Sequence, residues 1–364
     1  MEEVLKKKNV ISTWIYLDDK DSAQKFSQTH MLSSSKAHQD IYWRCVYVFF
    51  KFAQLAAGVD YEYVLFTNYK EKSLIVDGID ILKSLELMNV KIIQRDFTYK
   101  LPRGYYGSWG NQLYEFDILD EFSSRYKDSK LLMLDSDCII TKNINEIFER
   151  LDFTQALTFR GEYNNYPKDE KIDGISEREM LILANSLLDE NHYLEDFKYI
   201  CGEFFAATSN FIEIINNEFP NVYSKMVDIY NKENNSSAIK FNEEAHFLSF
   251  FYLKYNIEVG TADKYIKRLW SDDSYYKIKP EDIELPIWHC ITQKNRYIQI
   301  LKNIDSIMEM TQDNRVQCLK KIIFPSDFKY KIITRDVKIK DIIKFIAKKL
   351  KVIKLSIIKI GKKY

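Results

Sequence analysis

The sequence has few residues that break regular structure and few that form covalent cross-links. Its 364 residues include only six prolines and ten glycines, too few for a series of small domains joined by flexible linkers. The five cysteines are odd in number and widely spaced, which excludes a complete disulfide framework and favours a reducing compartment. We therefore expect one main folded domain in the cytoplasm.

Net charge and long apolar runs are also lacking. The 53 basic and 53 acidic side chains cancel, which excludes a uniformly basic nucleic-acid-binding protein. No apolar run approaches the roughly 18 residues that span a bilayer. Residues 1–8 include both acidic and basic side chains and lack the apolar core of a signal peptide. Apolar residues still make up 46% of the chain, enough to bury a large core.

Strand and helix patterns alternate along the chain. Strands are predicted at 10–16, 63–67, 90–93, 130–134, 156–159 and 204–208, and helices at 37–57, 73–88, 111–122, 177–188, 211–231 and 243–255. Because parallel strands need crossover connections, this order predicts an α/β fold with a mixed, mostly parallel sheet flanked by helices. Ligands of such sheets bind beyond the carboxyl ends of the strands.

One predicted strand ends in two carboxylates. The apolar run from Leu131 leads directly into Asp135 and Asp137, separated by one serine. Paired carboxylates at a sheet edge suit a hard divalent cation such as Mg²⁺ or Mn²⁺, which prefers oxygen ligands. A strand that ends in a solvated acidic turn is the alternative, because this short motif is common.

The run Leu131–Ile140 resembles the D-x-D motif of nucleotide-sugar-dependent glycosyltransferases with the GT-A (Rossmann-like) fold. The segment Tyr199–Thr208 is similar to the acceptor-side strand of these enzymes, and Phe241–Ser249 is similar to the acidic helix start of glycosyltransferase family 6. The resemblance implies that Asp135 contacts the ribose or the metal and that Asp137 binds the metal. It also implies catalytic roles for Glu244, near the anomeric carbon or the acceptor, and for Glu203 on the neighbouring strand.

The segment Leu285–Lys294 resembles the histidine-containing loop of family 8, which closes over the diphosphate. The resemblance implies that His289 completes the metal shell and that Lys294 pairs with phosphate. The alternative for His289 is a packed core or surface histidine, as we expect for His246 on its apolar helix face.

Three further residues are candidates for contact with the donor nucleotide. Thr13 and Tyr16 lie on the first predicted strand, where Tyr16 either borders the base or packs in the core. Trp109 lies in a glycine-rich loop and either stacks on a base or sugar or packs as an ordinary loop aromatic.

The C-terminal segment differs in composition from the rest. Residues 330–364 carry twelve basic and two acidic side chains, so the remaining residues sum to −10. Apolar residues recur there every three or four positions, which predicts a basic amphipathic helix. We expect a GT-A domain at 1–325 and a tail at 326–364 that binds an anionic membrane surface, the alternative being a helix docked on its own domain. The tail lacks the interleaved arginines and aromatics of nucleic-acid binders.

These features together predict a metal-dependent hexosyltransferase, peripheral on the inner face of the membrane. It would transfer a sugar from a nucleotide donor, with UDP-sugar expected, to a glycan or lipid-linked acceptor in surface polysaccharide synthesis. The alternatives are a haloacid-dehalogenase-type phosphatase that uses Asp135 and Asp137, and an inactive glycan-binding module. On the sequence alone, we expect Asp137→Ala to abolish metal-dependent turnover and to leave the fold intact.

Overall fold

The predicted strands form the centre of the protein. The computed structural model describes residues 9–20, 23–26, 29–107, 110–189, 192–233, 238–269 and 278–324. Its strands are β1 (Asn9–Ile15), β2 (Lys25–Phe26), β3 (Met31–Leu32), β4 (Glu62–Thr67), β5 (Ile75–Val76), β6 (Ile79–Asp80), β7 (Val90–Gln94), β8 (Lys130–Leu134), β9 (Cys138–Ile140), β10 (Ala156–Leu157), β11 (Lys171–Ile172), β12 (Ile175–Ser176), β13 (Phe204–Thr208), β14 (Ile266–Arg268) and β15 (Ile287–His289).

The helices cover the sheet and follow the predicted amphipathic segments. They are α1 (Lys36–Ala57), α2 (Ile81–Leu87), α3 (Tyr114–Arg125), α4 (Asn145–Arg150), α5 (Glu177–Leu187), α6 (Ser209–Glu233), α7 (Glu244–Lys254), α8 (Tyr297–Lys302), α9 (Ile304–Glu309) and α10 (Gln312–Ile323). Helix α1 begins at Ser35, whose side chain accepts a hydrogen bond from the His38 amide, and ends at Gly58, as the sequence predicts.

The main sheet has six strands in the order β10-β13-β8-β1-β4-β7. Strands β8, β1, β4 and β7 are parallel, and β13 is inserted antiparallel between β8 and β10. The predicted mixed, mostly parallel α/β architecture flanked by helices is thus confirmed. His246 is fully buried as predicted, and it accepts a hydrogen bond from the Asn242 amide.

A smaller sheet in the order β14-β15-β9 is positioned next to the end of β8. Strand β15 is parallel to β14 and antiparallel to β9. This sheet was not predicted, since its three-residue strands are too short for a periodic pattern.

The helix predicted at 73–88 is correct only in its second half. Residues 75–80 form the hairpin of β5 and β6 instead. Its turn residues Asp77 and Gly78 have φ angles of 49° and 82°, and an Asp-Gly pair at positive φ is typical of two-residue hairpins. Asp80 then caps α2 by accepting a hydrogen bond from the Lys83 amide.

The predicted tail helix and the domain boundary between 325 and 326 lie outside the described residues. Within the described part of the chain, no helix is both long and apolar enough to cross a membrane.

Candidate active site

Strand register brings the two aspartates to one edge of both sheets. Asp135 follows β8 and Asp137 precedes β9, so the D-x-D segment joins the main sheet to the small one. In the antiparallel pair of β13 and β8, Phe204 is opposite Leu134, and the Asp135 amide donates to the Glu203 carbonyl at 3.2 Å. Glu203 is thereby placed beside the acidic pair.

The small sheet supplies two basic side chains to the same edge. His289 on β15 pairs in register with Cys138 on β9, and Cys138 is the residue that follows Asp137. On its other side, His289 pairs in register with Arg268 on β14. The Asp137 carbonyl accepts from the Cys290 amide at 3.0 Å and from the Tyr297 hydroxyl at 2.5 Å, which fixes this corner of the backbone.

The strand ends surround a cavity of about 500 Å³. Six of its acidic side chains are Asp135, Asp137, Asp173, Glu203, Glu243 and Glu244. Arg268 and Lys294 also line it, together with His38 and His289. The cavity lies beyond the carboxyl ends of β1 and β8, the location expected for ligands of an open α/β sheet.

Asp135, Asp137 and His289 form a possible metal-binding group. One ligand atom from each residue lies within 4.8 Å of the other two. His289 Nε2 is 3.4 Å from Asp135 Oδ2 and 3.2 Å from Asp137 Oδ1, yet within the described chain it forms no well-aligned hydrogen bond. Two carboxylate oxygens and one imidazole nitrogen facing a common point fit Mn²⁺ or Mg²⁺.

Lys294 is buried against the second oxygen of Asp137. Its ammonium group donates to Asp137 Oδ2 and, at 3.1 Å, to the Ile291 carbonyl. Burial alone would raise the pKa of Asp137, but Lys294 and His289 lower it below the ordinary value, so the carboxylate stays ionised. The same pairing raises the pKa of Lys294 despite its burial.

Two adjacent carboxyl groups, Glu243 and Glu244, also line the cavity. Glu244, in the first turn of α7, is 4% exposed, and its Oε2 has no hydrogen-bond partner among the described residues. Burial and the nearby carboxylates of Glu115 and Asp135 raise its pKa well above the ordinary value. Glu243 accepts a hydrogen bond of 2.8 Å from the Tyr199 hydroxyl, and its pKa is likewise raised, first by burial and then by Asp173.

The predicted donor-contacting residues have different locations. Tyr16 is half-buried and lines the cavity, with its ring centroid 5.1 Å from those of Phe97 and Tyr114. Thr13 is fully buried in β1 and is not brought to the cavity. The part of β1 that lines the cavity is its carboxyl end, Trp14 and Ile15, and Thr13 precedes that end. Trp109 lies outside the described residues.

Sequence reasoning missed Arg268 and Asp173, which both line the cavity. Arg268 is in a three-residue strand with no diagnostic motif. Asp173 has a φ of 47° in the turn between β11 and β12 and precedes Gly174. An Asp-Gly pair predicts a turn at this point, but nothing in the sequence indicates that the Asp173 side chain lines the cavity.

Among known proteins, similarity to this chain is found in solved structures. No protein-family model matches the chain, and no curated protein matches it. Two solved structures with a similar chain path are glycosyltransferase GlyE of Streptococcus pneumoniae TIGR4, in its apo form and in a second structure, with TM-scores of 0.43 and 0.41. Both are 12% identical to this chain and cover 87% of it, while the match spans 64% of the GlyE chain. The function proposed below therefore depends on the geometry of the site itself.

Proposed function

We propose that this protein is a metal-dependent glycosyltransferase that transfers a sugar from a nucleoside-diphosphate donor, with a UDP-sugar expected. The observation that carries the proposal is the convergence of Asp135, Asp137 and His289 in a cavity at the carboxyl ends of the strands. Glu203 and Glu244 line the same cavity. A metal ion at these three ligands and the carboxyl group of Glu244 would thus act within one cavity.

Asp135, Asp137 and His289 are the residues that would hold Mn²⁺ or Mg²⁺. Such a cation, when bound, stabilises the negative charge that develops on a departing diphosphate. Lys294 forms an ion pair with Asp137 and keeps its carboxylate ionised, whereas the resemblance implies that Lys294 pairs with phosphate. Lys294 therefore pairs with Asp137 first, and its positive charge would favour a diphosphate bound next to that carboxylate.

Glu244 is the residue we propose for work on the sugar or the acceptor. As a carboxylate it would accept the proton of the acceptor hydroxyl or stabilise positive charge on the sugar ring. Its raised pKa and buried position match a group whose protonation changes during a reaction. A phosphatase would use Asp135 as a nucleophile and leave the position of His289 between the two aspartates without a function.

Binding of nucleotides tests the proposal directly. We expect one of UDP, GDP or ADP to raise the melting temperature in the presence of Mn²⁺ and to have little effect without it, because a ligand of the folded state stabilises it. CMP serves as the monophosphate control. Stabilisation by none of these nucleotides, with or without Mn²⁺, would contradict a nucleotide-sugar transferase.

The close approach of the Glu244 carboxylate to Gly202 provides a second test. A Cβ at position 202 would lie 2.2 Å from Glu244 Oε1, the end of a flexible side chain, so the carboxylate moves and the backbone stays. We expect Gly202→Ala to lower turnover by about 100-fold, since a displacement of about 1 Å in a reacting group has effects of that size. Gly107→Ala is the matched control, because its Cβ meets no atom within 4 Å. Equal turnover in both variants would exclude a role for the Glu244 position.

We further propose that residues 326–364 attach the enzyme to the inner face of a membrane, where it would act on a lipid-linked or glycan acceptor in surface polysaccharide synthesis. The support is the composition of residues 330–364, twelve basic and two acidic side chains among periodic apolar residues. We expect removal of 326–364 to weaken sedimentation with anionic vesicles and to preserve Mn²⁺-dependent nucleotide binding. Unchanged sedimentation would contradict membrane attachment through the tail.

A further inference from the structure

Both oxygens of the Glu203 carboxylate are already bound. The Arg268 guanidinium donates from Nε to Oε1 and from Nη2 to Oε2, the latter at 2.6 Å. His289 Nδ1 lies 3.3 Å from Oε1. Both oxygens therefore already accept hydrogen bonds from cationic or imidazole groups, so neither is free to accept the proton of an incoming hydroxyl.

Arg268 is held firmly in place. It is in register with His289 in the small sheet, and its Nη1 is 3.3 Å from a Glu162 oxygen and 3.4 Å from the Tyr163 hydroxyl. The guanidinium carbon is 5.5 Å from the centre of the Tyr163 ring. A planar guanidinium paired bidentately fixes the orientation of its carboxylate partner.

The direction of the contact between Glu203 and His289 follows from the charge of the carboxylate. The bidentate pair with the guanidinium of Arg268, which stays protonated, keeps the Glu203 carboxylate ionised. An ionised carboxylate accepts hydrogen bonds and cannot donate them, so the proton in this contact belongs to Nδ1 of His289. In the neutral ring the lone pair is then on Nε2, which faces Asp135 and Asp137.

We propose that Glu203, clamped by Arg268, is a positioning residue that orients the metal ligand His289, and that it is not a catalytic residue. The inference depends on the metal site of the proposed function, and it replaces the catalytic role that the sequence predicts for Glu203. A carboxylate that binds the second nitrogen of a ligating histidine fixes both the tautomer and the ring orientation.

The test measures Mn²⁺ affinity by electron paramagnetic resonance of the free ion, with the full-length protein and without nucleotide. We expect Glu203→Gln to lower the affinity by about 10- to 100-fold, the usual effect of losing such a partner. Glu203→Asp keeps the charge next to Arg268 and shortens the reach to His289, so it provides a variant with less risk of unfolding and the same direction of change.

The matched control is Glu177→Gln. Glu177 is also a buried carboxylate paired with a buried arginine, at 2.9 Å from Arg160, and it does not line the cavity. The Glu177→Gln variant should bind Mn²⁺ with the same affinity as the unmodified protein. An equal loss of affinity in this variant would mean that a general structural effect explains the Glu203 result, and would overturn the proposal.

Turnover at increasing Mn²⁺ separates positioning from catalysis. A positioning role predicts that Glu203→Asp raises the Mn²⁺ concentration for half-maximal rate and that kcat recovers at saturating Mn²⁺. Lost kcat with unchanged Mn²⁺ affinity would show a catalytic role and overturn the proposal. Absence of Mn²⁺ binding by the unmodified protein would overturn both this inference and the proposed metal site. If both Glu203 variants bind Mn²⁺ with the affinity of the unmodified protein, only the inference is overturned.

Discussion

Asp135→Asn is expected to lower Mn²⁺ affinity by more than about 100-fold, because loss of a direct ligand exceeds the effect of losing an outer partner. Its effect on stability should be small, since the Asp135 side chain is 30% exposed and forms no ion pair with a lysine or arginine among the described residues. Titration of free Mn²⁺ and thermal unfolding of the same sample measure the two effects separately. Unchanged Mn²⁺ affinity in the folded variant would remove Asp135 from the metal site.

The corresponding change at Asp137 has a different consequence for stability. Its side chain and that of Lys294 are 3% and 5% exposed, so Asp137→Ala leaves a buried ammonium group without its carboxylate. Loss of one partner of a buried pair costs about 3–5 kcal/mol. The expectation from sequence that this variant keeps an intact fold is therefore revised. Added replacement of Lys294 by methionine should restore part of the free energy of unfolding, whereas no recovery would contradict this explanation.

Glu244→Gln is expected to lower kcat by about 10²- to 10⁴-fold, the range for loss of a general acid or base. The structural reason is the position of Glu244 in the cavity wall, with one oxygen that has no hydrogen-bond partner among the described residues. Steady-state kinetics with donor and acceptor would measure the effect. A kcat within a few-fold of the unmodified value would exclude Glu244 from the chemical step.

The pH dependence of kcat is a second test of Glu244 as a general base. Burial, then Glu115, then Asp135 raise the pKa of Glu244, and a base acts only in its deprotonated form. The rate should therefore rise with pH through that raised pKa, so its acidic limb lies above the ordinary carboxyl range. Glu115→Gln is the companion variant, because Glu115 does not line the cavity, accepts a hydrogen bond from Trp14 Nε1 and raises the pKa of Glu244. It should keep an acidic limb shifted to lower pH, whereas Glu244→Gln should lose that limb.

The central strands and the acidic pair were predictable because local pattern determines them. Strand β8 has the predicted bounds, since five residues that are largely apolar and buried lead into charged ones. The helix predicted from apolar spacing was wrong at 73–80, because the turn at Asp77 and Gly78 folds this segment into a hairpin. In that segment the turn-forming residues determine the backbone more strongly than the spacing of the apolar residues does.

The partners of Glu203 were not predictable in this way. Arg268 and His289 are separated from Glu203 by 65 and 86 residues, and the register of β14 with β15 brings them together. No local pattern specifies such a register in strands of three residues. The role predicted for Glu203 followed from resemblance, whereas its contacts are with a guanidinium and an imidazole.

The most direct test of the metal site is the position of the metal in crystals grown with Mn²⁺ and UDP. Anomalous scattering from Mn²⁺ should give a peak bound by Asp135, Asp137 and His289, with the diphosphate on the cavity side of the ion. The peak should be absent from crystals of the Asp135→Asn variant. Mn²⁺ bound elsewhere, or UDP bound in the cavity with no anomalous peak at these three side chains, would contradict the account.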